Sequence, residues 1–338
     1  MWTPYPMSPR RRFLAGLLDG HVDRTPVASA TSVANLDQMA RTGAAFPDVH
    51  LQGPLMARLA AGAHTILGYD AIMPYFSVCA EAAALGAEVD WGSRDDMPAV
   101  VAPPWEAPAQ VTIPAGFLDR APVRAVLEAL RILRAEHGEH VALIGKVMGP
   151  WTLAYHLHGV QPFLLETLTD PARVRAFLEA LAPVTLAFGR AQIAAGADVL
   201  CIADHATGDL ISARMYREFL LPYHRRITTA LGCPTVLHIC GNTLDRLGDI
   251  ATAGFDGFHF ESRVDARAAV ERVAGRISLM GNVNNAEGLL TGTPEAVAAQ
   301  ARYAQEAGVR IVGPECAIPL ATPTENLLAI REAVTQSA

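Results

Sequence analysis

In Val236-Leu237-His238-Ile239-Cys240-Gly241-Asn242, an imidazole and a thiol stand two residues apart at the end of an apolar run. Alternate residues of an extended strand share a face, so His238 and Cys240 point the same way while Leu237 and Ile239 pack on the other side. A second sulfur, Cys316, follows the apolar run Val309 to Gly313, and Glu261 closes the run that starts at Gly257. Thiolates with an imidazole select zinc over calcium or magnesium, and a carboxylate can complete a four-coordinate set. The spacing alone leaves a second reading open, because a buried cysteine also serves as a small hydrophobe beside a histidine satisfied in the core.

Such ligands converge only if the fold gathers distant strand ends. Short β-branched runs near Pro26 to Ala30, His64 to Tyr69, Val141 to Val147, Asp198 to Ala203, Thr235 to Cys240, Gly257 to Glu261, Ile277 to Val283 and Val309 to Gly313 alternate with Ala- and Leu-rich segments of helical period. The alternation predicts an α/β fold: a single (β/α)8 TIM barrel forming one domain over residues 1–338, with an N-terminal helical segment. Residues 86–117, rich in proline and valine, predict a hairpin and loop excursion between barrel units.

Active sites of such barrels lie at the C-terminal ends of the strands, which brings His238, Cys240, Glu261 and Cys316 around one mouth. Asp204 and His205 follow the fourth run and are candidates to line the pocket, contact a cofactor or orient an acceptor; a loop cap or surface histidine is the plainer alternative. Asn242, Asn282 and Asn284 follow strands and are candidate hydrogen-bond donors beside a cofactor, although asparagine there is also ordinary turn chemistry. Trp151 and Tyr155, at i and i+4 on a helix, read as core packing.

Composition narrows the rest. The 338 residues are 51% hydrophobic and 18% charged, with a net charge of −7 and no basic block, which argues against a nucleic-acid partner. Five cysteines are an odd set for a disulfide framework and fit a reducing cytoplasm. Ser8-Pro9-Arg10-Arg11-Arg12 imitates a twin-arginine export signal, but the apolar stretch after it stops at Asp19, and no run approaches the roughly 18 apolar residues of a membrane span. Ser8 followed by Pro9 instead predicts a helix N-cap with proline in the first turn.

Over nearly its whole length the chain resembles the uroporphyrinogen decarboxylase superfamily, and more closely its cobamide (methylcobalamin:coenzyme M-type) methyltransferase branch. The resemblance is carried by Val22-Asp23-Arg24-Thr25-Pro26-Val27, by Gly43 to His50 (GAAFPDVH) and by Met148-Gly149-Pro150-Trp151-Thr152-Leu153-Ala154. It continues through Leu237 to Thr243 (LHICGNT), Met280-Gly281-Asn282-Val283, and Cys316-Ala317-Ile318-Pro319 running into Thr322-Pro323-Thr324-Glu325-Asn326-Leu327. It implies zinc held by His238, Cys240 and Cys316, with Glu261 the best match for the fourth ligand and His259 its alternative. It further implies a zinc-dependent methyltransferase that moves a methyl group from methylcobalamin or another methylated corrinoid to a thiol such as coenzyme M or homocysteine. In that expectation the thiol replaces Glu261, loses its proton in the field of the cation and attacks the methyl group in line, the Co–C bond breaking as cob(I)alamin departs.

No Asp-x-His-x-x-Gly corrinoid signature is found, since Asp245 to Gly248 does not supply one, so a separate corrinoid protein is the expected partner beside a small-molecule methyl acceptor. Three alternatives stand beside this expectation: a metal-free decarboxylase of carboxylated tetrapyrroles, a non-catalytic corrinoid-binding protein with a closed structural zinc, and tetrahydrofolate as acceptor. The decarboxylases' arginine-bearing loop is missing after Pro26, where the chain reads Val27-Ala28-Ser29-Ala30-Thr31-Ser32-Val33. Asp70 lies near where those enzymes keep a pyrrole-binding aspartate, which makes it a candidate catalytic residue; a helix cap or loop aspartate is the other reading.

Overall fold

Seven parallel strands form one curled sheet in a computed structural model that describes residues 6–335. In chain order the strands are β1 (Ala71–Ile72), β2 (Glu88–Asp90), β3 (Ala99–Ala102), β4 (Ala142–Met148), β5 (Val199–Ala203), β6 (Thr235–His238), β7 (Gly257–Phe260), β8 (Ser278–Val283) and β9 (Ile311–Pro314). β2 and β3 pair only with each other, antiparallel, and are the expected excursion. The others run in the order β1-β4-β5-β6-β7-β8-β9 with helices between successive members. β4 to β7 are buried throughout, so their residues form near-continuous apolar runs rather than alternating ones.

The first stave is shorter than the sequence predicts. Val27 makes a single parallel bridge to Val312 of β9, and its carbonyl accepts from Asp70 N at 2.7 Å on the other side. Ala28 N to Val312 O (3.1 Å) and Val312 N to Pro26 O (3.0 Å) complete the seam, closing an α/β TIM-barrel-like ring. Beyond Ala28 the Ser29 hydroxyl accepts from Thr31 N at 3.1 Å, and this side-chain turn ends the strand.

The expected strand from His64 to Tyr69 is corrected. His64 and Thr65 finish a helix, Gly53–Thr65, whose end is closed by Gly68 N to His64 O (2.8 Å) and Tyr69 N to Ala63 O (2.9 Å). Gly68 takes φ +69°, the left-handed conformation a glycine adopts at a helix C-terminus, and the strand begins only at Ala71. Most other expected strands shift by a residue or two.

The arginine-rich start is a clamp on the barrel floor. The N-terminal helix Pro9–Leu17 is capped by Ser8, whose hydroxyl accepts from Arg11 N. Arg10 then pairs with Asp198 at 2.8 Å, just before β5, and buried Arg12 pairs with Asp70 at 2.8 Å, just before β1. Both acids sit at N-terminal strand ends, opposite the mouth. Among the described residues no helix is long and apolar enough to cross a membrane.

Candidate metal centre at the barrel mouth

β6 ends at His238, and the chain then turns sharply enough to bring Cys240 back beside it. Gly241 makes the turn with φ +76°, and a side chain there would also overlap that of Thr207, so the position requires glycine twice over. Cys316 arrives two residues past the end of β9. His238 Nε2 lies 3.1 Å from Cys240 Sγ and 3.4 Å from Cys316 Sγ, and the two sulfurs are 3.2 Å apart.

These donors fit zinc. Ligand atoms at about 2.0–2.3 Å around a tetrahedral ion stand roughly 3.5–3.8 Å from one another, and here one ligand atom from each of the three residues falls within 4.8 Å of the others. His238 Nδ1 faces the His259 carbonyl at 3.3 Å, which assigns the ring proton to Nδ1 and leaves the Nε2 lone pair aimed at the sulfurs. The hydrogen bond from Cys240 holds the Cys316 thiol well below its ordinary range, while the same contact and burial push Cys240 up.

Glu261 is half-buried just past β7. Burial, then the negative charge of Cys316, raises its carboxyl, and the Gly241 backbone opposes the rise. His259 is differently placed. Its Nε2 donates to Pro314 O at 2.8 Å and its ring packs 4.6 Å from His238, with burial and His238 holding it neutral down to about pH 3.

Asp204 is fully buried with both oxygens engaged, Oδ1 by Thr152 N at 2.8 Å and Oδ2 by His224 Nε2 at 3.0 Å. It braces the loop after β5 and offers no free oxygen to a pocket. His205, next to it, is close enough to the centre to feel it: burial and then His238 lower its pKa. Asn242 is exposed, and its side-chain oxygen Oδ1 accepts from Leu244 N at 3.2 Å as a turn residue. Asn282 donates to Val264 O at 3.1 Å, and Asn284 caps the turn Asn285–Leu290 by accepting from Glu287 N at 2.6 Å. Asp70 is corrected as a pocket residue, because it is locked on the floor by Arg12, Arg24 and the Val27 amide. Trp151 and Tyr155 pack edge to face at 5.8 Å, as core packing requires.

Sequence reasoning missed Lys146 and His50. Lys146 belongs to β4, is 3% exposed, and holds its ammonium 4.7 Å from the Tyr75 ring centre. A single lysine inside Val141-Ala142-Leu143-Ile144-Gly145-Lys146-Val147-Met148 was the available signal. His50 is buried with neither ring nitrogen hydrogen-bonded, and burial, then Lys146, lowers its pKa to about 4.

The sequence profile of the family Uroporphyrinogen decarboxylase (URO-D) matches residues 8–337. A methylated-thiol–coenzyme M methyltransferase of Methanosarcina mazei is 36% identical over 324 residues, covering 96% of this chain and 88% of that protein. The methylcobamide:CoM methyltransferase MtaA of Methanosarcina barkeri is 34% identical over 95% of this chain and 96% of its own length. A uroporphyrinogen decarboxylase of Xanthomonas axonopodis is 33% identical, but over 53% of the chain and 53% of its own. A solved methyltransferase from Methanosarcina mazei superposes with a TM-score of 0.95 at 32% identity, covering 98% of this chain and 99% of that one. The chain therefore belongs to the uroporphyrinogen decarboxylase (URO-D) family and is an enzyme of its methyltransferase branch.

Proposed function

We propose that this protein transfers a methyl group from a methylated corrinoid to a thiol acceptor at a zinc centre formed by His238, Cys240 and Cys316, with Glu261 as the exchangeable fourth ligand. The observation that carries the reading is the convergence of those three donor atoms at the barrel mouth. Zinc bound there would stabilise a substrate thiolate at neutral pH. The surrounding residues serve that end. The His259 carbonyl fixes the His238 tautomer, the Gly241 turn sets the Cys240 sulfur, and the seam with Val27 positions β9 and hence Cys316.

Glu261 is favoured over His259 as fourth ligand because its carboxyl lies within hydrogen-bonding reach of Cys240 and is only half-buried, whereas the His259 ring is fully buried. Names of full-length relatives, methylcobamide:CoM methyltransferases, support the donor and acceptor classes. The decarboxylase alternative loses ground, since those relatives align with about half of the chain. A corrin ring is too large for the interior of an eight-stave barrel, whose side chains nearly fill it, so the donor is expected at the rim, carried by a separate corrinoid protein.

The test combines metal analysis with the visible spectrum of methylcobalamin. About one zinc per chain and thiol-dependent demethylation, abolished by chelation and restored by zinc, are expected. A zinc-replete protein that demethylates methylcobalamin with no thiol, free or on a corrinoid protein, would overturn the assignment.

A further inference from the structure

Glu315, one residue before Cys316, is 6% exposed, and both its carboxylate oxygens are taken by backbone amides rather than by a basic side chain: Oε2 accepts from Ser262 N at 2.7 Å and Oε1 from Asn285 N at 2.6 Å. Ser262 follows Glu261 in the loop after β7, and Asn285 opens the turn after β8. β8 lies between β7 and β9 in the sheet, so this one side chain, carried by the loop after β9, reaches across the end of β8 and ties three neighbouring mouth loops together. Further bonds run the same way. Glu315 N donates to Val283 O at 3.0 Å, Asn285 Nδ2 to Ala317 O at 2.8 Å and Asn284 Nδ2 to Ser262 Oγ at 2.8 Å. One residue deeper, His259 Nε2 lies 2.8 Å from Pro314 O, so β7 and the β9 loop are joined twice over the same gap. The bond from Ser262 to Glu315 thus has a metal-type donor one residue from each end, Glu261 on one side and Cys316 on the other.

Burying a carboxylate is costly unless its oxygens are bonded. A glutamine in its place would offer one accepting oxygen and turn an amide NH2 toward the second loop, whereas the carboxylate accepts from both. The two acids of this rim therefore divide the work. Glu315 is bonded on both oxygens, while the half-buried Glu261 carboxyl reaches Cys240 and the Gly241 backbone and feels the charge of Glu315. We propose that Glu315 is a positioning residue of the metal centre: it locks the loop of Glu261 to the loop of Cys316, so that the Glu261 side chain leaves and returns while the backbone on both sides stays in place. This rests on the reading above, in which Glu261 is the exchangeable ligand of zinc, and adds the element that lets one ligand exchange without loosening the others.

Cobalt(II) in place of zinc gives such a centre a visible spectrum that reports its ligands without methyl transfer. Wild type, Glu261→Gln and Glu315→Gln are compared, each loaded with cobalt alone. Glu315→Gln is expected to fold, to hold about one metal per chain and to show the spectrum of Glu261→Gln, because its Glu261 no longer stays on the ion; adding 2-mercaptoethanol should bring all three to one spectrum. Zinc release from Glu315→Gln to a chromogenic chelator should be about 10-fold faster than from wild type. A cobalt spectrum and a zinc release rate equal to wild type, with only the unfolding free energy lowered, would make Glu315 a purely structural residue and overturn the proposal. Complete loss of metal would also overturn it, assigning Glu315 to the support of the three-donor set. Should the variant not fold, wild type decides: hydrogen exchange at the Ser262 and Asn285 amides is expected to stay slow when 2-mercaptoethanol is added to the zinc-loaded protein, and faster exchange on addition would overturn the proposal. If Glu261→Gln keeps the wild-type cobalt spectrum, Glu261 is no ligand, and the exchange reading falls together with the proposal. If Glu261→Gln differs from wild type and Glu315→Gln does not, the exchange reading stands and the proposal alone falls.

Discussion

Cys240 and Cys316 hold their sulfurs 3.2 Å apart although 76 positions separate them in the chain, and each is brought there by a different stave of the barrel. Neither can keep a metal alone. Cys240→Ser and Cys316→Ser are each expected to lower zinc from about one per chain to near zero, and methyl transfer by more than about 100-fold. Elemental analysis of the folded variants checks the first, and a methylcobalamin assay the second. Full activity in a zinc-free variant would remove the centre from the mechanism.

Asp204 tests positioning against chemistry. With Thr152 N on one oxygen and His224 on the other, Asp204→Asn forces one buried partner out of register. A loss of about 2–3 kcal/mol in urea unfolding is expected, with zinc retained and KM for the thiol little changed in the folded fraction. A selective fall in kcat with unaltered stability would instead make this carboxylate a participant in the reaction.

The His50 imidazole has a folded pKa of about 4 against 6.5 for the free side chain, because burial and then Lys146 disfavour its charged form. A depressed histidine is neutral in the fold and protonates in the unfolded chain, so its stabilising share is present above pH 6.5 and is lost as pH falls toward 4. Between pH 7 and pH 5 this group should lower unfolding free energy by about 1–2 kcal/mol. His50→Phe, which can pack against the Phe46 ring now 4.4 Å away, should flatten that slope. An unchanged pH profile in the variant would show that other groups set it.

Much of this was readable beforehand, for definable reasons. Parallel strands buried on both faces leave continuous apolar runs, so β4 to β9 stand out in the sequence within a residue or two. The metal-type cluster was legible because strand ends of a closed barrel meet at one rim. The Gly53–Thr65 helix was missed at its end, where Ile66, Leu67 and Tyr69 form an apolar run that a left-handed Gly68 diverts before any strand begins. Asp70 and Asp204 were misjudged because a residue's position along a strand says nothing of which polar group satisfies it; their partners, Arg12 and His224, are local to neither. Lys146 carried a signal, a charge within an apolar strand, whose meaning depends on what surrounds it in the ring.

Gly313 is where the barrel is laced shut, since a side chain on it would collide with the Ala28 carbonyl across the seam. Gly313→Ala should cost about 2–4 kcal/mol and weaken zinc binding together, because Cys316 hangs three residues beyond; chemical unfolding and metal-release kinetics read the two effects. A loss of stability with zinc release unchanged would uncouple them. Hydrogen exchange at the Ala28 and Val312 amides should be faster than in the β5–β6 ladder, the lacing there being a few bonds wide. The joint most apt to breathe thus carries a sulfur of the proposed zinc centre, so a partner that grips the rim near this seam would govern how firmly a metal there is held without touching it.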